Sequence, residues 1–170
     1  MSNRFEKLKA EIFKRIQNIP GNVILRREIN DMGSPSQISR CIRALIEAKE
    51  LVKIGHGIYA KSYISKYVDR PIIRGGADAA WLEALTKLGV QWELGSAAQA
   101  YNAGLTTQVP VRMIVRLKSR FRGKLSYSGR KLIIEKSNSM WAEMLKENRH
   151  FKTGGGYASA IIDETGKDSV

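Results

Sequence analysis

The sequence has few residues that could form disulfides or metal sites. Its 170 residues include one cysteine, Cys41, and two histidines, His56 and His150. A single cysteine cannot close an intrachain disulfide, and a structural zinc site needs about four Cys or His ligands at short spacings. We therefore expect no bound metal and no disulfide, and the free thiol favours a cytoplasmic location.

Long apolar runs and catalytic motifs are also missing from the sequence. No stretch approaches the roughly 20 apolar residues that span a bilayer, and the charged start MSNRFEKLKAEIF lacks the apolar centre of a signal peptide. There is no G-x-S-x-G, no Walker lysine after a glycine loop and no dinucleotide-binding fingerprint. We predict that the protein is not an enzyme, has no catalytic residues and needs no cofactor.

Acidic residues are scarce relative to basic ones. There are 29 Lys and Arg against 16 Asp and Glu, which gives a formal net charge of +13. A basic surface gains free energy when it displaces the counterions condensed on a phosphate backbone, and this gain falls steeply with salt. The balance favours a polyanionic partner, with a basic but merely well-solvated protein as the alternative.

Helical periodicity dominates the first 49 residues. Apolar residues recur at helical spacing between Phe5 and Ile16, and a brief second helix is predicted over Arg26–Met32. The third helix, Pro35–Lys49, has the clearest start, because Ser34 can act as its N-cap and Gln37 can complete a capping box. Its apolar residues form one stripe, which leaves four polar residues on the opposite side: Ser36, Arg40, Arg43 and Glu47.

The next segment predicts a β-hairpin and then a boundary. Leu51–Lys61 contains two β-prone runs separated by Gly55, His56 and Gly57. Three helices followed by a hairpin predict an N-terminal winged helix-turn-helix over residues 1–66. Periodicity then fades, so we predict a linker over residues 67–76.

The rest of the chain predicts a small α+β domain with helices and an antiparallel sheet over residues 77–151, followed by a flexible tail at 152–170. The expected elements are helices over 77–88 and Ala97–Ala103, a strand within 111–118, a two-residue turn at Ser128 and Gly129 that pairs Tyr127 with Arg130, and a last helix over Met140–Asn148. The predicted fold class is therefore α+β.

The third helix carries the candidate chemistry, because the second helix of a helix-turn-helix enters the major groove of DNA. Arginine can bridge two acceptors of guanine and glutamine can pair with adenine, so Arg40 and Gln37 are predicted to contact bases and Arg43 to contact phosphate. The alternative is a solvated polar face, and His56 could equally be a plain turn residue. The predicted DNA-binding residues are Ser34, Ser36, Gln37, Ser39, Arg40, Arg43, Lys53, His56 and Lys61.

A second basic segment lies farther along the chain. Between Arg112 and Lys136 nine basic residues face a single acid, Glu135. They could extend the DNA footprint or bind RNA or an acidic protein, and a solvated basic face is the alternative. The candidates for this second anionic-partner surface are Arg112, Arg116, Lys118, Arg120, Arg122, Lys124, Arg130 and Lys131.

Two stretches of the sequence resemble one known family. SPSQISRCIRALIEAKELVKIGHGIYAK and ELGSAAQAYNAGLTTQVPVRMIV resemble the winged helix and following segment of AbiEi-type antitoxins from type IV toxin–antitoxin systems, and the corner at Gly104–Pro110 is the more distinctive match. The resemblance covers roughly Phe5 to Glu135. The region after Glu135 is short, so a complete antitoxin domain does not follow from it.

The resemblance implies a DNA-binding transcriptional regulator that represses its own operon. Its partners would be double-stranded DNA at its own promoter and a cognate nucleotidyltransferase toxin, with a homodimer on DNA as a further expectation. The alternatives are a protein-binding winged-helix adaptor, a basic RNA-binding module without operator specificity, and a nucleotidyltransferase or RNA-modifying enzyme without recognisable motifs.

Overall fold

Helices and strands alternate along the chain, and the mixed α+β class predicted from the sequence is confirmed. The computed structural model describes residues 2–68 and 70–135, so the predicted helix Met140–Asn148 and the predicted tail 152–170 lie outside the described residues. The elements in chain order are α1 (Ser2–Asn18), β1 (Val23–Leu25), a 3-10 helix (Arg26–Met32), α2 (Pro35–Glu47), β2 (Leu51–Gly55), β3 (Ile58–Ile64), β4 (Pro71–Ile73), α3 (Ala77–Lys87), β5 (Trp92–Leu94), α4 (Ser96–Asn102), β6 (Ile114–Leu117), β7 (Ser126–Tyr127), β8 (Arg130–Lys131) and β9 (Ile133–Ile134).

These elements divide between two units. Of the described residues, unit 1 comprises those up to Leu88 together with Gly123–Lys131, and unit 2 comprises Gly89–Arg122 and residues 132–135. The predicted division at residues 67–76 is therefore not where the structure divides the chain. The 67–76 segment contains β4, and α3 belongs to unit 1 rather than to the second domain.

The helices of unit 1 enclose one apolar core. Ile12 and Ile16 of α1 are fully buried with Ile29 of the 3-10 helix, and α2 contributes the stripe that its sequence predicts. Cys41 belongs to this stripe and is completely buried, which confirms its expected place in the core. Burial raises the pKa of the Cys41 thiol above its ordinary value. The thiol is therefore a small hydrophobic group in the folded protein.

The start of α2 is the capping box that the sequence predicts. The backbone N–H of Gln37 donates to Ser34 Oγ at 3.3 Å, and the Ser34 backbone N–H donates to Gln37 Oε1 at 3.1 Å. These two bonds satisfy donors that the first turn of a helix otherwise leaves without partners. The residue at which α2 begins is thus specified by two side chains three positions apart.

The central strand of the unit 1 sheet is β3. It pairs antiparallel with β1 and β2, and Ala60 lies opposite both Val23 and Val52. The β2–β3 hairpin confirms the hairpin predicted over Leu51–Lys61, although β3 continues to Ile64, where it pairs with β4. The predicted linker therefore adds a strand to this sheet.

Helix α3 is held against β1 by two charged side chains. The Glu83 carboxylate accepts from the backbone N–H groups of Asn22 and Val23 at 3.0 and 2.9 Å. Lys87 Nζ donates to the carbonyl oxygens of Val23 and Pro20 at 2.6 and 3.1 Å. These contacts join residues about 60 positions apart in the chain, which explains why local periodicity could not assign α3 to unit 1.

Unit 2 is built around the sheet β5–β6–β9. Strand β6 pairs antiparallel with β5 and parallel with β9, so the sheet is not wholly antiparallel as predicted. Glu135, directly after β9, accepts hydrogen bonds from the backbone N–H and the hydroxyl of Ser96 at the start of α4. This carboxylate connects the sheet of unit 2 to its helix.

The β7–β8 hairpin lies in unit 1 and has the predicted register. Tyr127 pairs with Arg130, and the turn residues Ser128 and Gly129 have φ angles of 51° and 76°. Positive φ at both central residues is the geometry of the tight turn that matches strand twist.

Within the described residues, no helix combines the length and apolar character needed to cross a membrane.

Candidate nucleic-acid interface

The outer face of α2 displays the side chains that the sequence predicts there. Ser36, Arg40 and Arg43 are exposed, whereas Ile38 and Leu45 on the opposite side are buried. A helix of 13 residues with one buried stripe presents the remaining face as a continuous surface about 20 Å long. The two arginines of this surface carry no salt bridge within the described part of the chain.

Arg40 is oriented by an aromatic ring of α1. Its guanidinium carbon lies 4.4 Å from the centroid of the Phe5 ring. This is a cation–π stack, which leaves the N–H groups at the edge of the guanidinium plane available to acceptors. The Phe5 ring therefore orients the Arg40 guanidinium group in the protein alone, without a bound partner.

Gln37 and Ser34 are already engaged with each other. Gln37 Oε1 accepts from the Ser34 backbone N–H at 3.1 Å and from Ser34 Oγ at 3.0 Å. A two-point contact with adenine needs the same amide oxygen as an acceptor, so base reading by Gln37 would compete with the cap. The structure favours capping as the role of this pair.

Arg26 joins α2 to the hairpin turn, a role that was not predicted from the sequence. Its Nη2 donates to the Pro35 carbonyl at 2.8 Å and to Ser39 Oγ at 2.9 Å, both in the first turns of α2. Its backbone N–H donates to the Gly57 carbonyl at 2.8 Å. Ser39, predicted as a DNA contact, is thereby engaged within the protein. No spacing rule relates residue 26 to residues 35, 39 and 57, so only the fold could identify this connection.

We expect Arg26→Ala to loosen the start of α2 and cost about 1–2 kcal/mol of stability, because two hydrogen bonds from a charged donor are lost, one of them partly buried. Amide hydrogen exchange should rise at residues 38–40, while that of β5 and β6 stays unchanged. Arg4→Ala, which removes an exposed cation from α1, is the matched control and should change neither. Unchanged exchange in Arg26→Ala would show that the contact does not hold α2.

The hairpin contributes two exposed candidates. Lys53 of β2 and His56 in the turn between β2 and β3 are both exposed, and the next residue, Gly57, has a φ of 67°. A positive φ at this position favours glycine and closes the turn tightly. The imidazole of His56 therefore stands at the end of the hairpin.

Lys61 does not belong to this surface. Its side chain is 6% exposed, and Nζ donates to the carbonyl oxygens of Ile19 and Gln17 at 2.8 and 3.4 Å. Burial lowers the pKa of this ammonium group, and the nearby Lys87 cation acts in the same direction. Its place in the predicted hairpin put Lys61 among the predicted DNA contacts, but its ammonium group is held by carbonyl oxygens at the end of α1, so we remove it from the interface.

The second basic segment is divided between the two units and is partly neutralised. In unit 2, Arg116 lies 3.6 Å from Glu93 and 3.7 Å from Glu135, and Lys118 lies 3.0 Å from Glu93. In unit 1, Arg130 Nη2 donates to both carboxylate oxygens of Asp78, at 3.1 and 3.2 Å. The candidates of this segment that are exposed and have no salt bridge to another described residue are Arg112, Arg120, Arg122, Lys124 and Lys131.

Lys124 is the member of this set that lies beside the hairpin. A Cβ on Gly55 would stand 3.2 Å from the Lys124 carbonyl oxygen and 3.0 Å from the Leu125 side chain. Gly55 is thus the place where the returning chain packs against the end of β2. The backbone of Lys124 therefore lies beside the end of β2, and its side chain is exposed.

No protein-family model matches the chain, and comparison with characterised proteins and with solved structures gives no significant match. The features of the chain that indicate a function are therefore the α2 surface and the residues that resemble AbiEi-type antitoxins. In the described ranges, 2–68 and 70–135, no group of three or more His, Cys, Asp or Glu side chains is placed to hold a metal ion.

Proposed function

We propose that unit 1 forms a winged helix-turn-helix that binds double-stranded DNA, with α2 as the recognition helix and the β2–β3 turn as the wing. The observation that carries the proposal is the two-sided character of α2, with Arg40 and Arg43 exposed opposite a buried apolar stripe. A helix of this kind fits the width of the major groove and brings guanidinium groups to base edges and phosphates.

Two further features support the same assignment. Arg26 fixes the start of α2 relative to the hairpin turn, so both elements would meet the duplex as one surface. Lys53 supplies an exposed cation and His56 an exposed imidazole at the hairpin, and the exposed Lys124 follows in the segment packed against Gly55, so the wing would meet phosphates of the adjoining backbone. The net charge of +13 adds a sequence-independent attraction to any polyanion.

We further propose that the protein is a transcriptional regulator of the AbiEi antitoxin kind. It would repress its own operon by occupying the promoter, as a homodimer on DNA, and would counteract a nucleotidyltransferase toxin through unit 2. The support is the resemblance at residues 34–61 and 93–115, which includes the Gly104–Pro110 corner. Co-expression with a nucleotidyltransferase encoded beside it, with host growth as the readout, tests the second part.

Selection from a random duplex library, followed by titration at several salt concentrations, tests the DNA-binding proposal. We expect one enriched sequence, bound at least about 1,000-fold more tightly than random duplex, and a linear fall of log affinity with log salt. The segment upstream of the protein's own reading frame should contain that sequence. Absence of enrichment together with a flat salt dependence would overturn the proposal and favour a protein-binding adaptor.

Lys53 and Lys61 form a matched pair for this titration. Lys53→Ala should reduce the salt slope by about 0.9, since one exposed phosphate contact is lost. Lys61→Met should leave the slope unchanged, because the ammonium group of Lys61 is buried against α1. Equal slopes in wild type and Lys53→Ala would place the β2 cation outside the footprint.

A further inference from the structure

A short two-stranded ribbon extends the unit 1 sheet beyond β1 and β2. Ser62, Tyr63 and Ile64 at the end of β3 pair with Ile73, Ile72 and Pro71 of β4. We call the described residues of this segment, 62–68 and 70–73, the 62–73 ribbon. Its first strand is the end of β3, whose other end forms the proposed wing, and the duplex contacts proposed above do not use it.

The base of the ribbon is held firmly. Ser62 Oγ donates to the Lys49 carbonyl at 2.8 Å, and the Arg74 backbone N–H donates to the Lys61 carbonyl at 3.1 Å. The Tyr127 hydroxyl donates to the Pro71 carbonyl, and the Arg70 guanidinium donates to Ser128 Oγ. Hydrogen bonds therefore fix the ribbon to the β7–β8 hairpin as well as to the sheet.

The ribbon concentrates exposed apolar side chains. Tyr63 is 46% exposed, Ile64 67%, Tyr67 94% and Val68 37%. Of the eight large hydrophobic side chains that are exposed in the described part of the chain, these four fall within six consecutive residues. Single exposed apolar residues are ordinary, but a cluster of this kind marks a contact surface.

Exposed cations accompany these apolar residues in the chain. Lys66, Arg70 and Arg74 are exposed, and Lys131 of the neighbouring β8 is exposed as well. The sequence from 62 to 74 contains one acid, Asp69. A partner that presents flat apolar faces together with negative charge therefore complements the ribbon better than a neutral apolar protein surface does.

We propose that the 62–73 ribbon binds single-stranded nucleic acid, with Tyr63 and Tyr67 stacking on unpaired bases and Lys66 and Arg70 contacting the backbone phosphates. Aromatic side chains beside cations are the usual means of binding single strands, because every base has a face on which a ring can stack. Bases inside a duplex do not offer those faces. This binding mode is separate from the α2 surface and does not depend on it.

Fluorescence anisotropy of the full chain with labelled oligo-dT and oligo-rU of about 20 nucleotides tests the proposal. We expect Tyr63→Ala and Tyr67→Ala each to weaken binding by at least about 5-fold, while Tyr67→Phe keeps wild-type affinity because the ring is retained. Tyr101→Ala is the matched control, since Tyr101 is 41% exposed on α4 in unit 2 and should not affect binding.

Three outcomes would overturn the inference. They are equal losses in Tyr101→Ala and Tyr67→Ala, no loss in either ribbon variant, and wild-type binding to anionic phosphatidylserine vesicles without binding to the oligonucleotides. The duplex selection described above is repeated with the ribbon variants. If the ribbon variants bind single strands more weakly but bind the duplex as the wild type does, the single-strand proposal is supported. If single-strand binding depends on the tyrosines and no duplex is selected, the single-strand proposal stands and the winged-helix proposal is overturned.

Discussion

On the duplex that the protein selects, Arg40→Ala is expected to bind about 5- to 150-fold more weakly than the wild type, a loss of about 1–3 kcal/mol. The reason is that a guanidinium group can bridge O6 and N7 of guanine, and the Phe5 ring already orients this one. On random duplex the loss should stay within about threefold, because phosphate contacts are the same on every sequence. Anisotropy titrations on both duplexes measure the difference.

Two variants show how Arg40 acts. Arg40→Lys keeps the charge without the planar fork, so it should lose most of the selectivity and little of the affinity for random duplex. Phe5→Leu keeps Arg40 but removes the ring face, and a loss of about 1 kcal/mol or less in the same direction is expected. Equal losses of Arg40→Ala on both duplexes would identify a phosphate contact instead of a base contact.

Glu83→Ala is expected to lower the free energy of unfolding of unit 1 by about 2–4 kcal/mol. The substitution leaves the backbone N–H groups of Asn22 and Val23 without their acceptor, and it removes the carboxylate that lies 3.8 Å from Lys87 Nζ. The loop at Gly21 is shaped around the same carboxylate, since a Cβ there would stand 2.1 Å from Glu83 Oε1. Urea unfolding followed by circular dichroism, with hydrogen exchange in β1 and α3, measures the loss.

Glu93→Ala is the matched control for this experiment. Glu93 forms ion pairs with Arg116 and Lys118 in unit 2, where the Lys118 side chain is 60% exposed, whereas Glu83 accepts from two backbone N–H groups. Exposed ion pairs contribute about 0–1 kcal/mol, so the control should unfold close to the wild type. If the two glutamate variants lost the same stability, the connection between α3 and β1 would be no stronger than a surface pair.

The parts of the candidate site that could be predicted are those fixed by neighbouring residues. Ser34 and Gln37 are three positions apart, and that spacing alone specifies the start of α2. The apolar stripe from Ile38 to Leu45 specifies which side of α2 is buried, and therefore that Arg40 and Arg43 are exposed. The turn at Ser128 and Gly129 is likewise determined by two adjacent residues.

Local sequence patterns assigned the wrong role to side chains that have a hydrogen-bond partner elsewhere in the protein. Lys61 has the charge of a DNA contact, but the carbonyl groups at the end of α1 hold its ammonium in the interior. Ser39 has the hydroxyl of a phosphate contact, but Arg26 and the Pro35 carbonyl engage it. The sequence pattern predicts on which face of a helix or strand a side chain lies. The hydrogen-bond partner of that side chain depends on which other elements the fold packs against that face.

The amino-acid sequence by itself determined the α+β class, the presence of α1 and α2, the start of α2, the two hairpin turns and the basic character of the protein. The reason is that caps, periodicity and turn residues act within about four positions of one another. Tertiary structure alone decided that α3 joins unit 1, that the basic segment is shared between units and that Arg26 connects α2 to a hairpin turn. These features depend on contacts between residues that are distant in the sequence, such as Glu83 and Asn22, and such contacts form only when the chain folds.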